Sequence, residues 1–102
     1  MKVMISDYQE TREVNIQIDG YDLYNLDHTL ALIIYPALKR FRNNTCGYPG
    51  CFDTEEKWIK ILDKMIHAFD LLTKDTIDTE KDSKAIYKGL KLFAKYYCHL
   101  WS

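Results

Sequence analysis

The stretch that decides the fold is Leu26-Asp27-His28-Thr29-Leu30-Ala31-Leu32-Ile33-Ile34-Tyr35-Pro36-Ala37-Leu38-Lys39-Arg40-Phe41-Arg42. Leu26, Leu30, Ile33, Ile34, Ala37, Leu38 and Phe41 recur at the three-and-four spacing of one helix face, so residues 26–42 are expected to be helical with that stripe toward the core. Asn25 stands at the N-cap, and Asp27 in the first turn suits the positive end of the helix dipole. Lys39, Arg40 and Arg42 suit the negative end. Pro36 removes the amide that the Leu32 carbonyl would accept from, which predicts a kink near that turn.

Downstream, Gly47, Pro49 and Gly50 mark residues 43–52 as a loop, and Asp53 or Thr54 followed by Glu55 and Glu56 starts a second helix over 54–73. Its face Trp58, Leu62, Met65, Phe69 and Leu72 is flanked by further apolar residues on both sides. Such a stripe is wider than one partner helix needs, so contact with two neighbours is expected. An acidic linker around Asp75, Asp78, Glu80 and Asp82 leads to a third helix over 82–101, with Ile86, Leu90, Phe93, Tyr97 and Leu100 as its core face. Upstream, residues 1–20 read as a strand or hairpin. Val14, Ile16 and Ile18 alternate with Asn15, Gln17 and Asp19, and Lys2-Val3-Met4-Ile5 can pair with them across a polar loop. A lone hairpin is marginal in water, so the helices are expected to support it.

The expected architecture is mainly α (α+β): one domain over 1–102, a three-helix bundle with an N-terminal strand or hairpin. At 102 residues, with 47% hydrophobic and 28% charged residues, the chain has the balance of a globular domain with one core. The formal net charge of −1 argues against general nucleic-acid binding. No apolar run has the length of a signal peptide's or a membrane helix's, and three cysteines are an odd count for a disulfide framework; both point to a cytoplasmic protein with reduced thiols.

Five positions are singled out as ligand-binding. His28, Tyr35, Lys39 and Arg42 line up with Leu32 on the side of the first helix opposite its expected core stripe. That side is either solvated, covered by the hairpin, or an interface on which Tyr35 packs while the basic groups hold an anion. Trp58 is the fifth. The lysines Lys84, Lys88, Lys91 and Lys95 form a stripe on the third helix that solvation alone explains, and Trp58, Trp101, Tyr87 and Tyr96 are available for stacking on a base. Cys46 and Cys51 with a histidine would be a partial zinc set. Adjacent Cys98-His99 does not supply the second spaced pair, so no metal, cofactor or catalytic residue is assigned.

Two stretches carry a resemblance. Asn25-Leu26-Asp27-His28-Thr29-Leu30-Ala31 continuing through Ile33-Ile34, Pro36, Leu38 and Lys39 to Gly47 and Pro49 is one; Trp58 with Leu62-Asp63-Lys64-Met65-Ile66 and Ala68-Phe69 is the other. They resemble a family of small uncharacterised tailed-bacteriophage proteins over about residues 22–72, with a weaker return from Gly89 to Trp101. The family pattern often has Trp-Ser where this chain has Tyr24-Asn25 and His-Gly where it has Cys46-Gly47, which weakens a catalytic or metal role at that position. The resemblance implies an accessory, counter-defence protein of the host cytoplasm. It would sequester a nucleotide-derived immune signal or inhibit a host defence protein; a small hydrolase or metal-dependent enzyme acting on such a signal, or a virion assembly protein, is the alternative. The expected partners are a small anionic nucleotide-like ligand or a host protein. A homodimer or higher homo-oligomer is expected from the apolar excess on the first helix and the broad stripe of the second.

Overall fold

A computed structural model describes residues 1–7, 11–45, 47–74 and 79–101. The elements run β1 (Lys2–Ile5), β2 (Val14–Gln17), a 3-10 turn (Gly20–Leu23), α1 (Leu26–Asn44), α2 (Glu55–Leu72), α3 (Glu80–Tyr96) and a closing 3-10 turn (Tyr97–His99). The expected class, three helices with an N-terminal hairpin, is the observed one.

The helices begin where capping chemistry allows. Thr54 accepts the Lys57 amide at 3.3 Å and Thr79 accepts the Asp82 amide at 3.1 Å, each satisfying an amide that has no partner within its helix. Thr79 therefore starts α3 two residues before the expected position. Asn25 makes no side-chain cap. Instead its carbonyl accepts the Thr29 amide at 3.0 Å and the Thr29 hydroxyl at 3.2 Å. α1 runs unbroken through Pro36, and the Leu32 carbonyl deprived of its amide lies on a solvent-exposed residue, where water can satisfy it. α3 ends at Tyr96 rather than continuing to 101, tightening into the 3-10 turn.

α2 is the middle helix and packs against both α1 and α3, as its wide stripe required. Trp58, Leu62, Met65, Ala68 and Phe69 are buried along it. α1 contributes Ala31 and Leu38 to the same core, and Phe93, Tyr96 and Leu100 close it from the α3 side. Phe52, tilted, and Tyr96, edge to face, pack around Trp58 at centroid distances of 5.6 and 5.8 Å. Tyr97, expected in the core face of the third helix, is exposed, because the helix has already given way to the 3-10 turn there.

Two expectations are overturned. The stripe of α1 expected to be core is mostly outside: Leu26, Leu30 and Ile33 are 37%, 43% and 40% exposed. Of that stripe Leu38 is buried; with Ala31 it faces α2, so the buried side is centred roughly a quarter of the circumference from the expected one at 3.6 residues per turn. The small Ala31 lets α2 approach closely, and Ile34 and Phe41 lie at the edge of the contact. The hairpin, expected to lean on the helices, packs against none of them among the described residues. Its register pairs Val3 with Ile16 and Ile5 with Val14. Besides the chain itself, its anchor is Asp22 of the 3-10 turn, which accepts from the Met1 ammonium at 3.0 Å. The Asp19 amide also donates to Asp22 at 2.8 Å, and these donors, the Asp19 amide first, hold the Asp22 carboxyl below its ordinary value.

The molecule is consequently flat, 46 × 44 × 19 Å, with a radius of gyration of 15.3 Å against about 13 Å for a compact domain of this length. Among the described residues no helix is long and apolar enough to cross a membrane.

Candidate ligand-binding cleft

The rotation of α1 relocates the sequence-predicted site. The His28 imidazole Nδ1 lies 3.2 Å from the Leu72 carbonyl at the end of α2, a bond in which the ring N–H donates. Tyr35 packs half-buried on the core with the Lys39 ammonium 5.3 Å from its ring centre. Arg42 Nε donates to Asp63 Oδ1 of α2 at 3.0 Å. α1 thus meets α2 between the two expected faces, with Leu38 from the core stripe and Tyr35 from the opposite side, while Leu32 and Lys39 stay exposed; His28 and Arg42 tie the two helices together. Trp58 is 1% exposed, so as placed it offers no ring face to a ligand.

A different group of basic residues is brought together between α2 and α3. Lys60, Asp63, Lys64 and His67 project from α2 at helical spacing, Ala85 and Lys88 from α3, and they line an open cleft of about 360 Å³. The two helices approach closely beside it because Gly89 has no side chain: a Cβ there would overlap Ala68 and lie 2.8 Å from the Lys64 carbonyl oxygen. This crossing puts Lys88 on the same cleft as Lys64. Asp63, the one carboxylate of the cleft, is already engaged by Arg42. Lys60, Lys64 and Lys88 make no ion pair among the described residues. Three lysines from two helices therefore border one concave surface whose own carboxylate is engaged by Arg42, which raises the local positive potential met by an anion.

The other lysines of the α3 stripe are occupied. Lys84 pairs with Glu80 at 3.5 Å, while Lys91 and Lys95 lie over the rings of Tyr87 and Tyr96 at 4.7 and 5.3 Å. The cleft was readable in part from sequence, since Lys60, Lys64 and His67 fall on the side of α2 away from its core stripe. That Lys88 joins them depends on how α3 crosses.

Cys51 and Cys98 are free and exposed, and among the described residues no three of His, Cys, Asp and Glu gather as metal ligands. Cys46 of the partial zinc set, with Asp75 and Asp78 of the expected acidic linker, lies outside the described residues. No protein-family model, curated protein or solved structure matches this chain, and its function is read from its own side chains.

Proposed function

We propose that the protein acts by binding, holding a small, multiply charged, nucleotide-like anion at the Lys60/Lys64/Lys88 cleft. In the phage setting implied by the resemblance, that is sequestration of a nucleotide-derived immune signal in the host cytoplasm. The observation that carries it is that Lys60, Lys64 and Lys88, which make no ion pair among the described residues, line one cleft from two helices. The volume falls at the small end of ligand pockets, roughly 300–1,000 Å³, and lysines serve phosphates as point charges. His67 adds a ring donor at the far end of the α2 row.

Calorimetric titration with cyclic dinucleotides and ADP-ribose derivatives tests this. Binding that weakens at least tenfold in Lys60→Glu/Lys64→Glu, with intact ligand recovered after heating the complex, is the expected result. Turnover of ligand under catalytic excess supports the enzymatic alternative instead. A second reading, inhibition of a host defence protein, draws on the apolar outer side of α1, where Leu26, Leu30 and Ile33 are exposed. It predicts no heat with any nucleotide and capture of a host protein that is lost in Leu30→Lys.

A further inference from the structure

The hairpin is amphipathic, and among the described residues no helix packs against its apolar side. Residues directly opposite each other in an antiparallel pair point to the same side, so Val3, Ile5, Val14 and Ile16 share one face and Lys2, Met4, Asn15 and Gln17 the other. The four apolar side chains are 42–60% exposed. A two-stranded hairpin with no support is marginal in water, and among the described residues this one has no helix of its own chain packed beneath it.

The chain carries a second surface of the same character. Leu26, Leu30 and Ile33 form an outward stripe on α1. From Ile33 and Ala37 the stripe continues into an apolar groove of about 300 Å³ that Phe93 and Leu100 close from the α3 side.

The exposed area sets the scale. The chain exposes 7913 Å², whereas a monomer of 12.1 kDa exposes about 6,000 Å², an excess of about 1,900 Å². A standard protein interface buries about 800 Å² per partner, and obligate homodimers bury roughly 1,000–2,500 Å² per partner. The excess is the size of an obligate dimer interface.

We propose that a second copy of this chain covers these surfaces, each protomer laying the Val3/Ile5/Val14/Ile16 face of its hairpin on the Leu26/Leu30/Ile33 side of its partner's α1. Because hairpin and stripe are both unpartnered on every chain, a twofold axis satisfies both contacts at once and closes the assembly. The second copy supplies the support that the hairpin lacks in its own chain. The inference stands independently of the anion cleft, which lies on the opposite pairing of helices, α2 with α3.

Sedimentation equilibrium at about 10 µM, where micromolar affinities register, gives the first readout. The expected mass is twice 12.1 kDa, or an even multiple if dimers pair. Val14→Lys/Ile16→Lys on the hairpin and Leu30→Lys/Ile33→Lys on α1 are each expected to return it to the single-chain mass with the helical circular dichroism retained. The second readout mixes isotope-labelled and unlabelled copies and looks for nuclear Overhauser effects from Ile16 methyls of one copy to Leu30 and Ile33 of the other. A wild-type chain that stays single up to 100 µM (about ten times the first concentration) overturns the proposal. So does an assembly that survives either double substitution, or contact between the hairpin and α1 of the same chain.

Discussion

Gly89 of α3 lies against Ala68 of α2 so closely that a single added methyl would overlap the alanine Cβ and press within 2.8 Å of the Lys64 carbonyl oxygen. The relationship has two consequences. It lets α2 and α3 come together, and it sets Lys88 of α3 on the same cleft as Lys64 of α2.

Gly89→Ala sets two effects against each other. Alanine gains about 1 kcal/mol of helix propensity over glycine, but overpacking a tight contact costs about 1–3 kcal/mol. Because one of the two obstructing groups is backbone, the steric cost falls toward the top of its range and prevails, and a net loss of up to about 2 kcal/mol is expected in urea unfolding. Gly89→Val loses more. Ala68→Gly combined with Gly89→Ala recovers only part of the loss, because the Lys64 carbonyl remains. Equal stability of Gly89→Ala and wild type would remove the close crossing from the account.

The sequence read well where apolarity was confined to one stripe. In α2 the stripe Trp58, Leu62, Met65 and Phe69 with its apolar flanks lies opposite Lys60, Asp63, Lys64 and His67, so its phase was legible, and its width announced two neighbours. In α1 apolar residues cover most of the circumference, and the phase cannot be settled from hydrophobicity alone. The side with the larger residues, Leu26, Leu30 and Ile33, drew the assignment; the side with the small Ala31 is the one that α2 approaches. The same ambiguity displaced the candidate site, since His28, Tyr35 and Arg42 follow the helix phase. The cleft depends on a contact between α2 and α3 that Gly89 permits, and no periodicity within either helix encodes it.

The two tryptophans give the core prediction its readout. Trp58 is buried between Phe52 and Tyr96, while Trp101 is 76% exposed. Trp101→Phe is therefore expected to leave blue-shifted emission that iodide quenches poorly, and Trp58→Phe to leave red-shifted, readily quenched emission. Trp58→Ala removes a large buried side chain and should cost about 3–5 kcal/mol. Iodide quenching of Trp58 comparable to that of Trp101 would contradict the packing.

Asp22 makes the 3-10 turn sensitive to acid. Its carboxyl is held below its ordinary value, first by the Asp19 amide and then by the Met1 ammonium. A carboxyl depressed in the folded state contributes stability that is present above the unfolded value and is lost as pH falls through the folded one. The window lies below about pH 4. Asp22→Asn is expected to flatten that acid limb and to loosen the hairpin from the turn, read as faster amide exchange in Lys2–Ile5. The Asp22 side-chain carbonyl resonance should titrate at lower pH than in an unfolded peptide; an equal or higher midpoint would contradict this.

The Arg42–Asp63 pair separates stability from binding. Both side chains are substantially exposed, 39% and 51%, and such a pair contributes about 0–1 kcal/mol to stability. Its effect on the cleft is larger in kind, because Arg42 compensates the one carboxylate among the three lysines. Arg42→Ala leaves Asp63 uncompensated and should weaken binding of a nucleotide-like anion; Asp63→Asn removes the repulsion and should tighten it. One unit charge at 4 Å in water is worth about 1 kcal/mol, about fivefold in Kd. Both effects should shrink as salt rises, since the charges are open to solvent. Calorimetry at two ionic strengths, beside urea unfolding of the same variants, distinguishes the outcomes. If the two substitutions shift stability alone and leave the Kd unchanged, the ligand does not sit among Lys60, Lys64 and Lys88.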